Sequence, residues 1–401
     1  MHRIVLQHCE NIDPADIATY LGKGGFAALR KARTMGPEAV IAEITASRLK
    51  GRGGAGFPCG RKWELARSAL GSPKYLICNA DEGEVGAFKD RYILAHDPFS
   101  LLEGMAIAGY ATGATKAFIY LRGEYRSLFT PLKGAIDQAT STGLITLPIE
   151  LRQGAGAYIC GEETALMNSL EGRRGEARFR PPFPPERGLF GAPTVINNVE
   201  TLVNIPRIIT NGSAWFAHIG TPESTGTKVF SVSGDVDRPG VYEVDLGTSL
   251  ATVLALAGAH DVKLVQVGGA TGGIVPATLL ATPLAYETVL GSGALTVLDT
   301  GRDVLDFVYR AVEFLNEESC GLCTPCREGT EVLLEILSRL TRGEGREEDI
   351  TTLEELARVM MDASLCGLGQ AAPIPVLDTL KYFRNDYAMR IKQSVFLRTL
   401  R

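Results

Sequence analysis

No run of about 18 apolar residues occurs in the 401-residue chain, so the sequence offers no helix for crossing a bilayer. The opening stretch MHRIVLQHCENIDP lacks the basic and apolar regions of a secretory signal. Positive charge is not in excess: 41 Lys and Arg face 46 Asp and Glu, leaving −5. Phosphate binding needs a basic surface, so nucleic acid is not expected as a partner. Histidine is scarce, at five residues, and no acid–base triad stands out. Low-complexity tracts, internal repeats and long linkers are all missing. Eight cysteines in so long a chain do not make a disulfide scaffold, and without a signal they fit a reducing, cytoplasmic compartment.

What is present is an ordinary globular composition, 45% hydrophobic and 22% charged, long enough for two or three domains. The first ~50 residues read as helical, with AVIAEITASRLK the clearest stretch. Thereafter strand-like runs (KYLICNA, KAFIYL, IELRQ) alternate with helical ones (RKWELARSAL, SLLEGMAIAGYATG, LFTPLKGAIDQATSTG, CGEETALMNSLEG), the rhythm of an α/β sheet with crossovers. Near residue 225 the rhythm changes. VFSVSG and VYEVD alternate about the turn DVDRPG, a hairpin; TSLATVLALAGA is a helix capped by Thr or Ser, and KLVQVGG a strand. That order suggests a β-grasp, ubiquitin-like unit. Beyond residue 300 the pattern is helical. Val304, Phe307, Val308, Ala311, Val312 and Leu315 mark one buried face, and Val332, Leu333, Ile336, Leu337 and Leu340 a second. Thr352 with Glu355 reads as a capping box, and a further helix starts near Pro375.

The sharpest chemical signal lies in that helical part. Cys320, Cys323 and Cys326 are spaced C-x₂-C-x₂-C, and Cys366 follows far downstream in SLCGLG. Three thiolates on a tight loop plus one remote thiolate suit a [4Fe–4S] cluster. A zinc site more often uses two separated pairs, and remains the alternative. Cys9, Cys59, Cys78 and Cys160 read as small buried hydrophobes. Four other constellations are weaker singly. Gly51, Gly53 and Gly56 satisfy G-x-G-x-x-G, but a helix precedes the loop, not the strand of a dinucleotide fingerprint. Its N–H groups, with Arg52 and Lys62, could cradle phosphate, or the loop is a structural turn. Asn79, Asp81, Glu82 and Glu84 crowd the end of an apolar strand, as ligand sites do in α/β sheets, and as solvated acidic turns do too. GAGAYICGEETALMNSLEG sets Glu162 and Glu163 at a helix start, where carboxylates also complement the helix dipole. PPFPPERGLFGAPTVINNVETL combines Phe183 with the pair Asn197–Asn198, whose amides suit a flavin edge.

Taken in order, GRGGAGFP, NADEGE, GAGAYICGEETALMNSLEG, PPFP, INNVETL and ESCGLCTPCREG resemble the NADH-binding, FMN-containing flavoprotein subunit of respiratory complex I. That family also holds the diaphorase subunits of NAD-dependent formate dehydrogenases and hydrogenases. The likeness runs from about residue 20 to about residue 395. It implies NADH oxidation, electrons passing from NADH through FMN to one [4Fe–4S] cluster held by Cys320, Cys323, Cys326 and Cys366. In a diaphorase setting the same path would run toward NAD reduction. The implied fold is α/β: a Rossmann-like FMN- and NADH-binding domain (1–224), a β-grasp domain (225–300) and a helical iron–sulfur domain (301–401).

On the same resemblance, Gly51, Arg52, Gly53, Gly54 and Lys62 hold the FMN phosphate side. Asn79, Asp81 and Glu82 meet the flavin, with Tyr158, Gly161, Glu162, Asn197, Asn198 and Thr201 closing the pocket. Phe57 and Phe183 sandwich NADH, Glu84, Glu163 and Arg180 line the dinucleotide side, and Glu82, Glu163 and Cys160 stand nearest the chemistry. The expected partners are a thioredoxin-like [2Fe–2S] subunit, for which this chain has no domain, and a larger iron–sulfur or catalytic subunit. Contact with a membrane would come only through them, at the inner face. Leu65 stands where the family often has an aromatic, Arg180 where it has lysine, Val85 where it has proline and Cys59 where it has a small hydroxyl residue. None of these removes a flavin or cluster ligand.

Overall fold

The structure, a computed structural model, describes residues 1–399, with side chains described to residue 391. The expected domain limit at 401 therefore ends outside the described residues. Strands β1 (Tyr75–Ala80), β2 (Lys116–Leu121), β3 (Ile149–Gln153) and β4 (Thr194–Asn198) form a parallel sheet in the order β3-β2-β1-β4. β1 and β2 are apolar runs buried on both faces, as strands covered by crossover helices must be. The helix Pro98–Thr112 between them is almost wholly buried, which its apolar sequence permits. After β3 the chain returns to the far side of β1, so the order reverses between β1 and β4. A reversal of this kind opens a crevice at the strands' carboxyl ends.

The expected hairpin, helix and strand after residue 225 are present as β5 (Thr227–Gly234), β6 (Gly240–Asp245), the helix Leu250–Ala257 capped by Ser249, and β7 (Val262–Val267). Two further strands, β8 (Gly273–Pro276) and β9 (Ala294–Asp299), complete the order β6-β5-β9-β7-β8. Phe230, Val232, Leu254, Val265 and Val297 lie in its core. The alternation in β5 does not mean one wet face: residues from Thr227 to Val232 are all buried, because its polar side packs on the first sheet's unit. The chain's opening residues also reach this sheet. Main-chain N–H groups of Ile4, Val5 and Leu6 each donate to Glu243 at 2.9 Å. Helices begin only at Ile17, so the expectation of helix through the first ~50 residues holds from there on.

The last part is helical: Val304–Glu317, Thr324–Thr341, Glu347–Ala363, Gly367–Ala371, Ile374–Tyr382 and Arg384–Thr399. The first predicted face is buried, with Phe307 at its margin. In the second, Val332 is instead 38% exposed, one residue off the buried stripe. Thr352 is not a cap. The third helix starts earlier, where Asp349 accepts the Arg346 N–H at 2.9 Å. Among the described residues no helix is long and apolar enough to cross a membrane.

Candidate functional site

The crevice at the reversal gathers most of the singled-out residues. From β1 come Asn79 and, just beyond, Asp81; from β4 come Asn197 and Asn198, the latter capping the helix Val199–Asn211 by accepting the Glu200 N–H at 3.0 Å. The glycine loop lies against them. Gly51 N–H closes it on the Phe57 carbonyl at 2.9 Å, and Arg52 N–H docks it on Thr201 Oγ1 at 2.8 Å. At Gly53 a Cβ would come to 3.1 Å from the Asn198 side chain, so the loop's close approach needs glycine there. Gly54 adopts φ 121°, a second position that disfavours a side chain. The loop runs directly into the helix Cys59–Ser68, and a helix N-terminus is a natural place for a phosphate.

Three residues do something other than expected. Arg52 adds no charge to the cradle: it is fully buried and its guanidinium donates to the carbonyls of Thr225, Thr227 and Lys50. Five donors in a rigid fork suit a cluster of carbonyls as well as they suit phosphate. Glu82, expected near the chemistry, is turned away. Its two oxygens accept from Asp90 N–H, Arg91 N–H and Tyr125 OH, each at 2.9 Å, which caps the helix Lys89–His96. Asn197 is buried and committed to Trp63, accepting its indole N–H at 3.0 Å. Asn198 is likewise engaged, donating to Asp90 at 2.6 Å, yet remains at the wall beside Gly53.

Asn79 donates to the Gly161 carbonyl at 2.8 Å and so ties β1 to the turn Tyr158–Gly161. Asp81 is buried with Oδ2 lacking any partner, and burial, eased by Arg122, pushes its carboxyl up to about 7. Arg122, which the sequence did not draw attention to, also keeps one buried guanidinium nitrogen, Nη1, unpartnered. Orphaned buried polar atoms are costly, and two of them just past the neighbouring ends of β1 and β2 fit a polar ligand such as the ribityl chain of FMN. Glu84 accepts from Tyr158 OH at 2.8 Å and from Thr271 OH at 3.1 Å, so it latches the acidic turn to the second sheet. Cys160 is buried and its thiol is pushed up by burial, which leaves it no nucleophile at neutral pH.

A second cluster opens toward solvent. Lys62 Nζ donates to the Ile196 carbonyl at 3.0 Å and lies 3.5 Å from Glu163, with the Phe57 ring 5.9 Å away. Arg180 pairs with Glu162 and, at 3.3 Å, with Glu163. Glu162 also caps the helix Glu163–Leu170, accepting from Thr164 and Ala165 N–H at 2.9 Å. Phe57, next to Lys62, is 46% exposed, and Phe183, three residues past Arg180 in the chain, is 49% exposed: two aromatic faces free to stack. Leu65 and buried Cys59 sit in the helix that carries Lys62, and Val85 is exposed.

The four cysteines of the three-plus-one pattern do meet. Cys323 and Cys366 are the N-cap residues of the helices Thr324–Thr341 and Gly367–Ala371. Cys366 accepts N–H groups of Leu368 and Gly369, and the charges of Cys320, Cys323 and Cys366 all bear on Cys326. At Gly369 a Cβ would stand 2.7 Å from Cys326 Cβ, so glycine lets the two ligand segments close up. Yet among the described residues no three His, Cys, Asp or Glu side chains converge tightly enough for one metal ion. The three-plus-one set brought together around Cys326 suits a cubane cluster, which takes one thiolate per iron corner.

Comparison with known proteins agrees with this geometry. Residues 44–207 match the Nuo51 FMN-binding domain, 229–271 the SLBB domain and 306–390 the NADH-ubiquinone oxidoreductase-F iron-sulfur binding region. The chain is 43% identical to the NADP-reducing hydrogenase subunit HndC of Solidesulfovibrio fructosivorans, over 97% of this chain and 83% of that one. It is 41% identical to an NADH-quinone oxidoreductase subunit of Rhizobium meliloti, over 96% and 97%. A crystal structure of an NAD⁺-reducing [NiFe]-hydrogenase in the air-oxidized state superposes with TM-score 0.90 at 40% identity, covering 97% of this chain and 67% of that one.

Proposed function

Because this chain belongs to the family of flavoprotein subunits found in NADH-quinone oxidoreductases and NAD-reducing hydrogenases, we propose that its crevice and its four-cysteine loop form one continuous electron path. The chain is an NADH-oxidising electron-input subunit with an FMN-binding domain, an SLBB domain and a helical [4Fe–4S] region. FMN supplies a carrier that accepts a hydride and releases electrons singly, and the cluster a one-electron acceptor. In our reading Gly51, Gly53, Gly54 and Lys62 hold the phosphate side. Asn79, Asp81, Tyr158, Gly161, Glu162, Asn198 and Thr201 close around the flavin. Phe57 and Phe183 clamp the dinucleotide while Glu163 and Arg180 orient it, and the clamp excludes water and fixes the hydride's direction. The observation that carries this is the exposed Phe57 ring 5.9 Å from Lys62, with Lys62 and Arg180 both reaching Glu163 at the crevice mouth.

We divide the chain into units of 1–224, 225–300 and 301–401. The second has the hairpin–helix–strand order of a β-grasp, and its loops reach the glycine loop: Tyr286 OH donates to the Gly51 carbonyl at 2.7 Å. The parent assembly is a respiratory or hydrogenase complex at the cytoplasmic side, with a separate thioredoxin-like [2Fe–2S] subunit and a larger iron–sulfur or catalytic subunit. Acid denaturation of the purified complex is the test. We expect release of FMN, not FAD, because the loop offers a single-phosphate cradle with no second pyrophosphate site. Recovery of FAD would sink the reading. So would a flavin band that NADH fails to bleach.

A further inference from the structure

Tyr158 joins the two redox sites through a single residue. Its hydroxyl donates to Glu84 in the acidic turn at 2.8 Å, while its main-chain N–H donates to Glu318 Oε2 at 2.9 Å. Glu318 ends the helix Val304–Glu317, two residues before Cys320. Phe314, one turn earlier, sets its ring edge-on to Tyr158 with centroids 5.3 Å apart. On the cluster side, Ser319 Oγ lies 3.4 Å from Cys326 Sγ, and Arg174 donates to the Cys320 carbonyl at 2.6 Å. Across the same wall, Cys366 bears on Tyr158, Glu162 bears on Cys366, and the Glu318 charge bears on Asp81. The turn Tyr158–Gly161 is thus a partition with the crevice on one side and the cluster loop on the other, and Glu318 fastens it.

Resting on the electron path proposed above, we propose that Glu318 is a positioning residue for the flavin-to-cluster step. Its carboxylate docks the turn Tyr158–Gly161 on the cluster loop, and its fixed negative charge disfavours the electron's arrival. One NADH oxidised to NAD⁺ releases two electrons and one proton; the cluster takes the electrons one at a time, handing the first to a partner iron–sulfur centre before it takes the second. Each reduction adds negative charge next to Glu318, so removing that charge raises the cluster's potential. Docking matters separately, because electron transfer between fixed centres slows steeply with added distance and slack.

Two substitutions in the whole complex separate the roles. Glu318→Gln keeps an oxygen to accept the Tyr158 N–H but loses the charge; Glu318→Ala loses both. Redox titration of the cluster's EPR signal reports the charge. Hydrogen exchange of the peptide holding Tyr158, with stopped-flow reduction of the cluster by NADH, reports the docking. We expect an upward shift of potential in both variants. Only in Glu318→Ala do we expect Tyr158 to exchange faster and cluster reduction to slow by about tenfold or more. An unmoved potential in Glu318→Gln would overturn the inference, and so would unchanged exchange in Glu318→Ala. Should the alanine variant fail to assemble, the glutamine titration still decides. A wild-type complex without FMN or without a cluster would sink the electron path itself; a wild type that carries both, with variants unmoved, sinks only the role of Glu318.

Discussion

Arg180 Nη1 lies 3.3 Å from Glu163 Oε1 at the mouth of the crevice, and the same guanidinium also pairs with Glu162. Glu163 is therefore not a bare carboxylate awaiting the nucleotide, since Lys62 approaches it from the other side at 3.5 Å. A ribose 2′-hydroxyl can donate to such a carboxylate, whereas a 2′-phosphate brings about 1.5–2 negative charges against it. Arg180 works the other way, offering a phosphate a planar two-pronged donor.

The first prediction sets these residues against each other through kcat/KM with both nucleotides. Wild type should prefer NADH. Glu163→Gln should gain on NADPH and Arg180→Leu should lose on it, each by about tenfold, or about 1.4 kcal/mol in a half-buried cleft. Equal wild-type rates with the two nucleotides would refute repulsion as the selector. If Glu163→Gln gains nothing, another group sets the preference.

A second prediction concerns the cluster. Cys326 is buried, and burial with the neighbouring thiols pushes its own thiol up to about 11, so without iron it would rest protonated. Iron must displace that proton, and no other sulfur among the described residues is placed to substitute. Cys326→Ala should abolish the reduced-cluster EPR signal and electron transfer to partner subunits, while NADH still bleaches the flavin. One zinc and no iron in anaerobically purified wild type would show the site to be a zinc knot.

How far the sequence reached can be seen residue by residue. The spacing of Cys320, Cys323, Cys326 and Cys366 announced a shared site because ligand sets recur in local sequence. Asn79 and Asp81 stood out because an acidic turn follows an apolar strand, and Lys62 because a glycine loop opens its helix. Arg52 and Glu82 misled: a charged side chain next to a glycine loop or in an acidic turn carries no mark of which way it points. Only tertiary packing turned one onto carbonyls and the other onto a helix end. Lys228 carried no mark in the sequence, yet at the start of β5 it is fully buried 2.6 Å from Glu200, which lies on the helix Val199–Asn211. Glu318, Arg122 and Tyr286 were invisible for the same reason: their partners lie more than a hundred residues away or are orphan atoms.

The third prediction is an assembly. Cys320 and Cys323 are only half-buried while Cys326 and Cys366 are buried, so the cluster's shallow side is the loop that carries exposed Leu322. Electrons leaving that side need a docked acceptor. We expect stable association with a separate thioredoxin-like [2Fe–2S] protein and with a larger iron–sulfur subunit, seen as co-elution at stoichiometric ratio. A monodisperse single chain that passes electrons onward at full rate would count against it.

The last prediction is a pH dependence far from the redox sites. Asp97 caps the helix Pro98–Thr112, with Oδ1 accepting the Ser100 N–H at 3.0 Å, but Oδ2 is buried without a partner. Burial, only partly offset by Ser100, pushes the carboxyl up to about 6. Its ordinary value is about 3.9, so between about pH 4 and 6 the folded chain holds a proton that the unfolded chain has released. A raised carboxyl of this kind contributes stability that is fully present below the lower value and is lost as pH rises through the upper one. The loss amounts to at most about 3 kcal/mol, since each unit is worth about 1.4. Asp97→Asn keeps an oxygen for Ser100 N–H and places an amide, which cannot ionise, where the proton was. Urea unfolding of wild type and variant at pH 5 and pH 8 should therefore show the variant gaining relative to wild type at the higher pH. A difference between the two that does not change with pH would mean that Asp97 ionises in the fold at its ordinary value, with solvent or an ion reaching Oδ2.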